Sequence, residues 1–110
     1  MRLYIAILDE FPDHMACTLV AHTMLSAHLA FQHDPVYIDW ITNSYKKCTV
    51  RVNQKEFDKI AALDHRVYLG YEMHTLEGRM ACAIVMPHAD ELRPNVLKFA
   101  KMWKPKHEPT

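Results

Sequence analysis

Only two of the 110 residues are glycine, and the chain has no surplus of either charge. So few glycines, in a composition that is 50% apolar, are typical of a packed globule and exclude a disordered or repetitive chain. Thirteen basic and thirteen acidic side chains cancel, so a nucleic-acid partner would require a local basic patch. The length corresponds to one domain.

The sequence also lacks a long apolar run. Its longest runs, residues 3–8 and 81–87, are far shorter than the ~20 residues of a membrane-spanning helix, so we expect no membrane span. An acidic pair, Asp9-Glu10, stands where a signal peptide would have its cleavage site, which favours a first strand instead. The three cysteines are odd in number and widely spaced, which argues against a disulfide framework and favours the cytoplasm.

The motifs of metal and cofactor sites are missing as well. Eight histidines are present, but no C-x-x-C, H-x-x-x-H or His–carboxylate pair has a known ligand spacing. There is no glycine-rich phosphate loop and no G-x-S-x-G elbow. We therefore expect neither a metal nor a cofactor.

The apolar patterns predict the element order β-α-α-β-α-β-β-α. Strands are expected at residues 2–8, 48–52, 67–71 and 80–85, and the last two should pair antiparallel because their connection is short. Helices are expected at residues 14–31, from Pro35 to an end at Asn43-Ser44, at 54–63 and within 89–103, where Pro94 places the regular start near Arg93. Asp34 and Asn53 are the expected N-caps of the second and third. The predicted class is α/β: a domain of residues 1–104 with a four-stranded mixed sheet and helices on both faces, then a frayed tail at 105–110.

Four short motifs occur in order on these elements: Y-I-A-I at residues 4–7, L-V-A-H at 19–22, K-K-C-T-V-R-V-N at 46–53 and A-C-A-I-V-M-P at 81–87. Together with the element order they resemble the type II peptidyl-tRNA hydrolase family, over about residues 3 to 87. The segment 8–14, with 18–22, is particularly similar to small phage proteins of that family. The resemblance implies the family's fold and cleavage of the ester that joins a peptide to the 3′ ribose of tRNA.

The chain departs from the family pattern at several expected catalytic positions. The loop lysines of the family fall at about Asp13 and Met15, its helix glutamine at Leu19 and its last-strand threonine at Ala81. The region of the family's aspartate carries Tyr71-Glu72, and Thr75 stands near the family's threonine. The resemblance therefore implies only a partial site.

Ester hydrolysis needs a base or a positioned water and a donor for the developing oxyanion. The catalytic candidates are polar groups near strand ends and on the first helix: Asp9, His14, His22, Glu72 and Thr75. The substrate-binding candidates are Glu10, Thr18, Lys46 and Lys47. We expect the loop after the first strand to lie near the end of the third strand, at the edge where open α/β sheets bind ligands.

These residues also have ordinary structural interpretations. His22 could be a core histidine and His14 a surface residue, and carboxylates such as Asp9 are common in turns and caps. Cys17 and Cys82 are more typical of inert core thiols than of nucleophiles. The lysines on the second strand and on the last predicted helix could touch RNA phosphates or could simply be solvated.

Two functions of different classes follow. The first is hydrolysis of the ester between tRNA and a peptide or N-blocked amino acid, at a site formed by residues 9–14 with Glu72 and Thr75. The second is a catalytically lapsed module of the same fold that binds a nucleotide, an RNA end or a host protein. A hydrolase should gather polar groups in one cleft, whereas a binding module should have a large apolar patch elsewhere.

Trp40 and Trp103 would also allow a homodimer surface.

Overall fold

The computed structural model describes residues 1–64, 66–72 and 79–106. The strands in these ranges are β1 (Arg2–Leu8), β2 (Lys47–Val52), β3 (Val67–Glu72), β4 (Arg79–His88) and β5 (Lys101–Met102). The helices are α1 (Ala16–Phe31), α2 (Pro35–Asn43), α3 (Gln54–Ala61) and α4 (Asn95–Lys98), with 3₁₀ turns at Asp13–Met15 and Asp90–Leu92. The strands form one mixed sheet of five, in the order β3-β4-β1-β2-β5.

β1 lies at the centre of the sheet. It pairs parallel with β2 and antiparallel with β4. Alternate residues of a strand face opposite sides, so β1 contributes to two cores. The residues packed with α1 and α2 are Leu3, Ile5 and Ile7, and those packed with α3 and α4 are Tyr4, Ala6 and Leu8. Helices on both faces explain why the strand is a continuous apolar run.

A fifth strand corrects the predicted four-stranded sheet. The spacing of apolar residues predicted a helix over residues 89–103, but this segment forms a 3₁₀ turn, the single-turn helix α4 and then β5. β5 pairs antiparallel with the outer edge of β2, where Lys101 is the partner of Arg51. The N–H of Trp103 also donates to the carbonyl oxygen of Thr49 at 3.0 Å. Backbone hydrogen bonds to a distant strand therefore replace those of the expected helix.

The other predicted elements are present, with shifted ends. The first helix begins at Ala16 instead of residue 14, after a 3₁₀ turn, and β3 and β4 form the predicted antiparallel pair. Asn53 caps α3 in a capping box: its Oδ1 accepts from the N–H of Glu56 at 2.8 Å, and Glu56 Oε1 accepts from the N–H of Asn53 at 3.0 Å. No helix in the described ranges is long and apolar enough to cross a membrane. Residues 107–110 of the predicted tail lie outside the described residues.

Asp34 caps α2 as predicted and also pairs with Arg66. Its Oδ1 accepts from the N–H groups of Val36 and Tyr37 at 3.0 Å each, and its carboxylate forms an ion pair with the Arg66 guanidinium. The hydrogen bond from Arg66, followed by that from the Tyr37 N–H, lowers the pKa of Asp34 from 3.8 to about 2. The ionised carboxylate therefore stabilises the fold at neutral pH.

Removing the charge of Asp34 should lower the melting temperature in a pH-dependent way. Because the folded pKa is below the ordinary value, the stabilisation is fully present above about pH 4 and is lost as the pH falls through about 2. Asp34→Asn keeps the cap but loses the charge, so it should melt below wild type at neutral pH and converge with it near pH 2. Thermal melts followed by circular dichroism would show this, and equal melting temperatures at neutral pH would contradict it.

Candidate functional site

The strands β1, β2 and β3 all end at one edge of the sheet, which we call the carboxyl edge. β1 and β2 are parallel, and β3 runs in the same direction because both β3 and β1 are antiparallel to β4. The loop after β1, which begins with Asp9 and Glu10, therefore lies at the same edge as the backbone of Glu72. Open α/β sheets commonly bind ligands at such an edge.

Arg79 links the loop after β1 to the end of β3. It is the first residue of β4 and the register partner of Glu72, and its guanidinium forms an ion pair with Glu10. Its Cζ lies 4.8 Å from the ring centroid of Phe11, and 55% of its side chain is exposed. Sequence reasoning missed Arg79. The available signal was a cation at the start of a strand that pairs with the strand carrying a candidate acid.

Two carboxylates of the loop after β1 share one guanidinium. Arg51 Nη1 lies 3.3 Å from Asp9 Oδ1, and Arg51 Nη2 lies 3.0 Å from Asp13 Oδ1. Lys106 closes the cluster: its N–H donates to Asp13 Oδ2 at 2.5 Å, and its Nζ donates to the Asp9 carbonyl oxygen at 2.8 Å. The Lys106 N–H, followed by Arg51, lowers the pKa of Asp13. Asp9, a predicted catalytic residue, is thus held in ion pairs.

The remaining candidates lie in the 3₁₀ turn that holds His14, in α1, or outside the described residues. His14, Thr18 and His22 are exposed. The interpretation of His22 as a core residue is therefore wrong; it lines a crevice of about 110 Å³ with Tyr71. Thr75 and the side chain of Glu72 lie outside the described residues.

Lys46 and Lys47 do not join the other candidates. Lys47 is the register partner of Leu3, near the start of β1, whereas Asp9 follows its end. At ~3.3 Å per residue, the five steps from Leu3 to Leu8 separate these positions by roughly 17 Å along the sheet. The predicted substrate lysines and the carboxyl edge are therefore separate features of the molecule.

A groove runs along one face of the sheet beside α1; we call it the sheet groove. It consists of two adjoining cavities of about 530 Å³ each. Both cavities are lined by Val20, Lys47 and Thr49; the first adds mainly Met24, Tyr37, Trp40 and Tyr45, and the second Ile7, Cys17, Met102 and Trp103. The prediction that Cys17 is a core thiol is wrong, because it is exposed, whereas Cys82 is buried.

The connection between α2 and β2 forms the aromatic end of the sheet groove. Tyr45 has φ 63°, in the left-handed region that non-glycine residues rarely adopt. Its ring stacks on Trp40, with centroids 5.8 Å apart, and Lys47 Nζ lies 3.5 Å from the Tyr45 ring centroid. Trp40 Nε1 donates to the Lys46 carbonyl oxygen at 2.7 Å, which holds this connection against α2. Strained residues often cluster at binding sites.

The fold and these features define a class of protein: a small α/β domain with an ion-paired carboxyl edge and an aromatic groove on one sheet face. Across the described ranges, no group of three or more His, Cys, Asp or Glu side chains is placed to hold a metal ion. No family model matches the sequence, and no curated protein matches it. The chemistry of the two sites is therefore the main support for a function.

Proposed function

We propose that the chain is a peptidyl-tRNA hydrolase-like esterase, acting in the cytoplasm on the ester between tRNA and a peptide or N-blocked amino acid. The observation that carries this proposal is the ion pair of Glu10 with Arg79, which brings the loop after β1 and the start of β4 together at the carboxyl edge. The resemblance of residues 3–87 to the type II family supports the same reaction.

Arg79 offers a positive charge at an edge where the loop lysines of the family pattern are missing. In ester hydrolysis, water attacks the carbonyl carbon, the carbonyl oxygen becomes an oxyanion, and the ribose 3′ oxygen leaves with a proton. A half-exposed guanidinium can donate hydrogen bonds to that oxyanion. The candidates for accepting a proton from the water are Asp9, Glu10, His14, His22 and Glu72, and those for positioning it are Thr18 and Thr75.

Arg79→Ala should lower kcat/KM for N-acetyl-phenylalanyl-tRNA more than tenfold, because the developing oxyanion loses a charged donor. The measurement is release of labelled N-acetyl-phenylalanine by purified protein. Arg66→Ala is the matched control, since Arg66 is also an exposed arginine in an ion pair but precedes β3 at the opposite edge. It should retain the wild-type rate. An unchanged rate for Arg79→Ala would show that Arg79 does not stabilise the oxyanion. A folded wild type without turnover would contradict hydrolysis altogether.

A catalytically lapsed binding module is the second candidate, and the ion pairs of the carboxyl edge favour it. Arg51 and Lys106 hold Asp9 and Asp13 in ion pairs, so these carboxylates already have protein partners in place of a water. Two cavities of about 530 Å³ each lie in the sheet groove, on a face of the sheet and away from the carboxyl edge. Such a module would bind a nucleotide, an RNA end or a host protein. Ligand binding by a folded wild type that shows no turnover would support it.

A further inference from the structure

Among the described residues, α1 covers one sheet face mainly over three of the strands. α1 packs on β1, β3 and β4, so the adjoining face of β2 lies beside the helix instead of beneath it. That face carries Lys47, Thr49 and Arg51, which are the register partners of β1 residues buried under α1 and α2. Trp103 follows β5 and packs against the same core. The sheet groove is the space between this open face and α1.

The shape of the sheet groove suits an elongated ligand with flat rings. Its two cavities share Val20, Lys47 and Thr49, so they adjoin one another along the sheet. Aromatic side chains lie at both ends: Tyr45, stacked on the buried Trp40, at one, and Trp103, with Arg51 Cζ 5.0 Å from its ring centroid, at the other. Tyr45 is 60% exposed, although Trp40 and Lys47 lie against its ring. Exposed aromatic faces along a groove stack on nucleobases without regard to sequence.

The charge of the sheet groove has one sign. In the described ranges, no Asp or Glu lines either cavity. Lys47 lines both cavities, and Lys101 and Lys104 line a neighbouring cavity that shares Met102 with the second. None of these three lysines, nor Lys46 beside them, has a carboxylate partner among the described residues. The neighbouring acids Asp9 and Asp13 are neutralised by Arg51 and Lys106. This is a local basic patch on a chain whose net charge is zero, and it is complementary to phosphate.

We propose that the sheet groove binds single-stranded nucleic acid, with bases stacked on Tyr45 and Trp103 and phosphates at Lys47 and the neighbouring lysine of β5. A second copy of the chain is a poorer occupant, since a two-fold contact between grooves would set lysines against lysines. The proposal stands on the groove alone and does not depend on ester hydrolysis. It gives the binding-module alternative a ligand class.

The test is fluorescence anisotropy of a labelled oligouridylate of about eight nucleotides, long enough for one such groove. Wild type should bind it, and the affinity should fall as salt is added, because phosphate contacts release counterions. Thr49→Glu places a carboxylate inside the groove and should weaken binding at least tenfold. Thr42→Glu is the matched control: the same substitution at an exposed position of α2 that does not line the groove should leave the affinity unchanged.

A second pair of variants tests the proposal independently, in case Thr49→Glu does not fold. Lys47→Ala should weaken binding several-fold and reduce the salt dependence, whereas Lys59→Ala, at an exposed position of α3, should do neither. The proposal is overturned by wild type that does not bind, by equal binding of a duplex of the same length, or by self-association that covers the groove. Oligonucleotide binding without turnover, or turnover without such binding, would separate this proposal from ester hydrolysis.

Discussion

Trp40→Ala should lower the free energy of unfolding by about 3–5 kcal/mol, the usual cost of truncating a buried tryptophan. Trp40 is 1% exposed and belongs to the core that α1 and α2 form with β1. The substitution removes the ring and leaves a cavity, and it also removes the Nε1 donor of the Lys46 carbonyl oxygen. Since domains of this size are stable by about 5–15 kcal/mol, the variant should be close to unfolding at moderate temperature. Urea denaturation gives the value.

Trp40→Phe separates the two contributions of Trp40. Phenylalanine keeps most of the buried ring and loses the Nε1 donor, so it should cost about 1–2 kcal/mol, in the range for one lost hydrogen bond. The alanine variant should therefore be clearly less stable than the phenylalanine variant. If the two were equally unstable, the bond to the Lys46 carbonyl oxygen, and not the packing of the ring, would hold the connection between α2 and β2 in place.

The centre of the fold could be predicted because local patterns and tertiary contacts agree there. β1 is apolar on both faces, and the structure buries both faces. Asn53 precedes Glu56 by three residues, which is the capping-box pattern, and the box forms at the start of α3. In such segments the local sequence is sufficient to predict the structure.

The last third of the chain shows where local patterns fail. Helical spacing between residues 89 and 103 is real, yet Phe99 is 81% exposed while Leu97 is buried. Instead of continuing α4, the segment forms its backbone hydrogen bonds by pairing Lys101 and Met102 with the edge of β2. That edge is distant in sequence, so no window along the chain could reveal it.

The candidate sites depend even more on distant contacts. The position of Asp9 at a strand end was predictable, but its pairing with Arg51 depends on the register of β1 and β2. The sheet groove could not be predicted, because it is formed by the position of α1 over β1, β3 and β4, which leaves β2 beside the helix. Its signals in the sequence, Trp40 and Trp103, indicated no more than a surface that could bind something.

Gly70→Ala should destabilise the domain by about 1–3 kcal/mol, the range for overpacking a closed site. Gly70 lies in β3 beneath α1, where a Cβ atom would meet the side chain of Thr23, with Thr23 Cγ2 at 2.8 Å and its Cβ at 3.1 Å. Thr23 is buried, and its hydroxyl donates to the Leu19 carbonyl oxygen at 2.9 Å, which holds the side chain in that rotamer. Contacts this short cannot be kept, so Thr23 or the helix that carries it must shift.

A double-mutant cycle tests whether this contact is the cause. Thr23→Ala removes Oγ1 and Cγ2, the two atoms that the new methyl group would meet most closely, and leaves Cβ in place. It should therefore cost stability alone but relieve part of the damage in Gly70→Ala. We expect the double variant to be more stable than the sum of the single effects predicts, by about 1 kcal/mol, as is usual for residues in contact. Additive losses in urea denaturation would mean that Gly70 is needed for its own backbone and not for the close approach of α1.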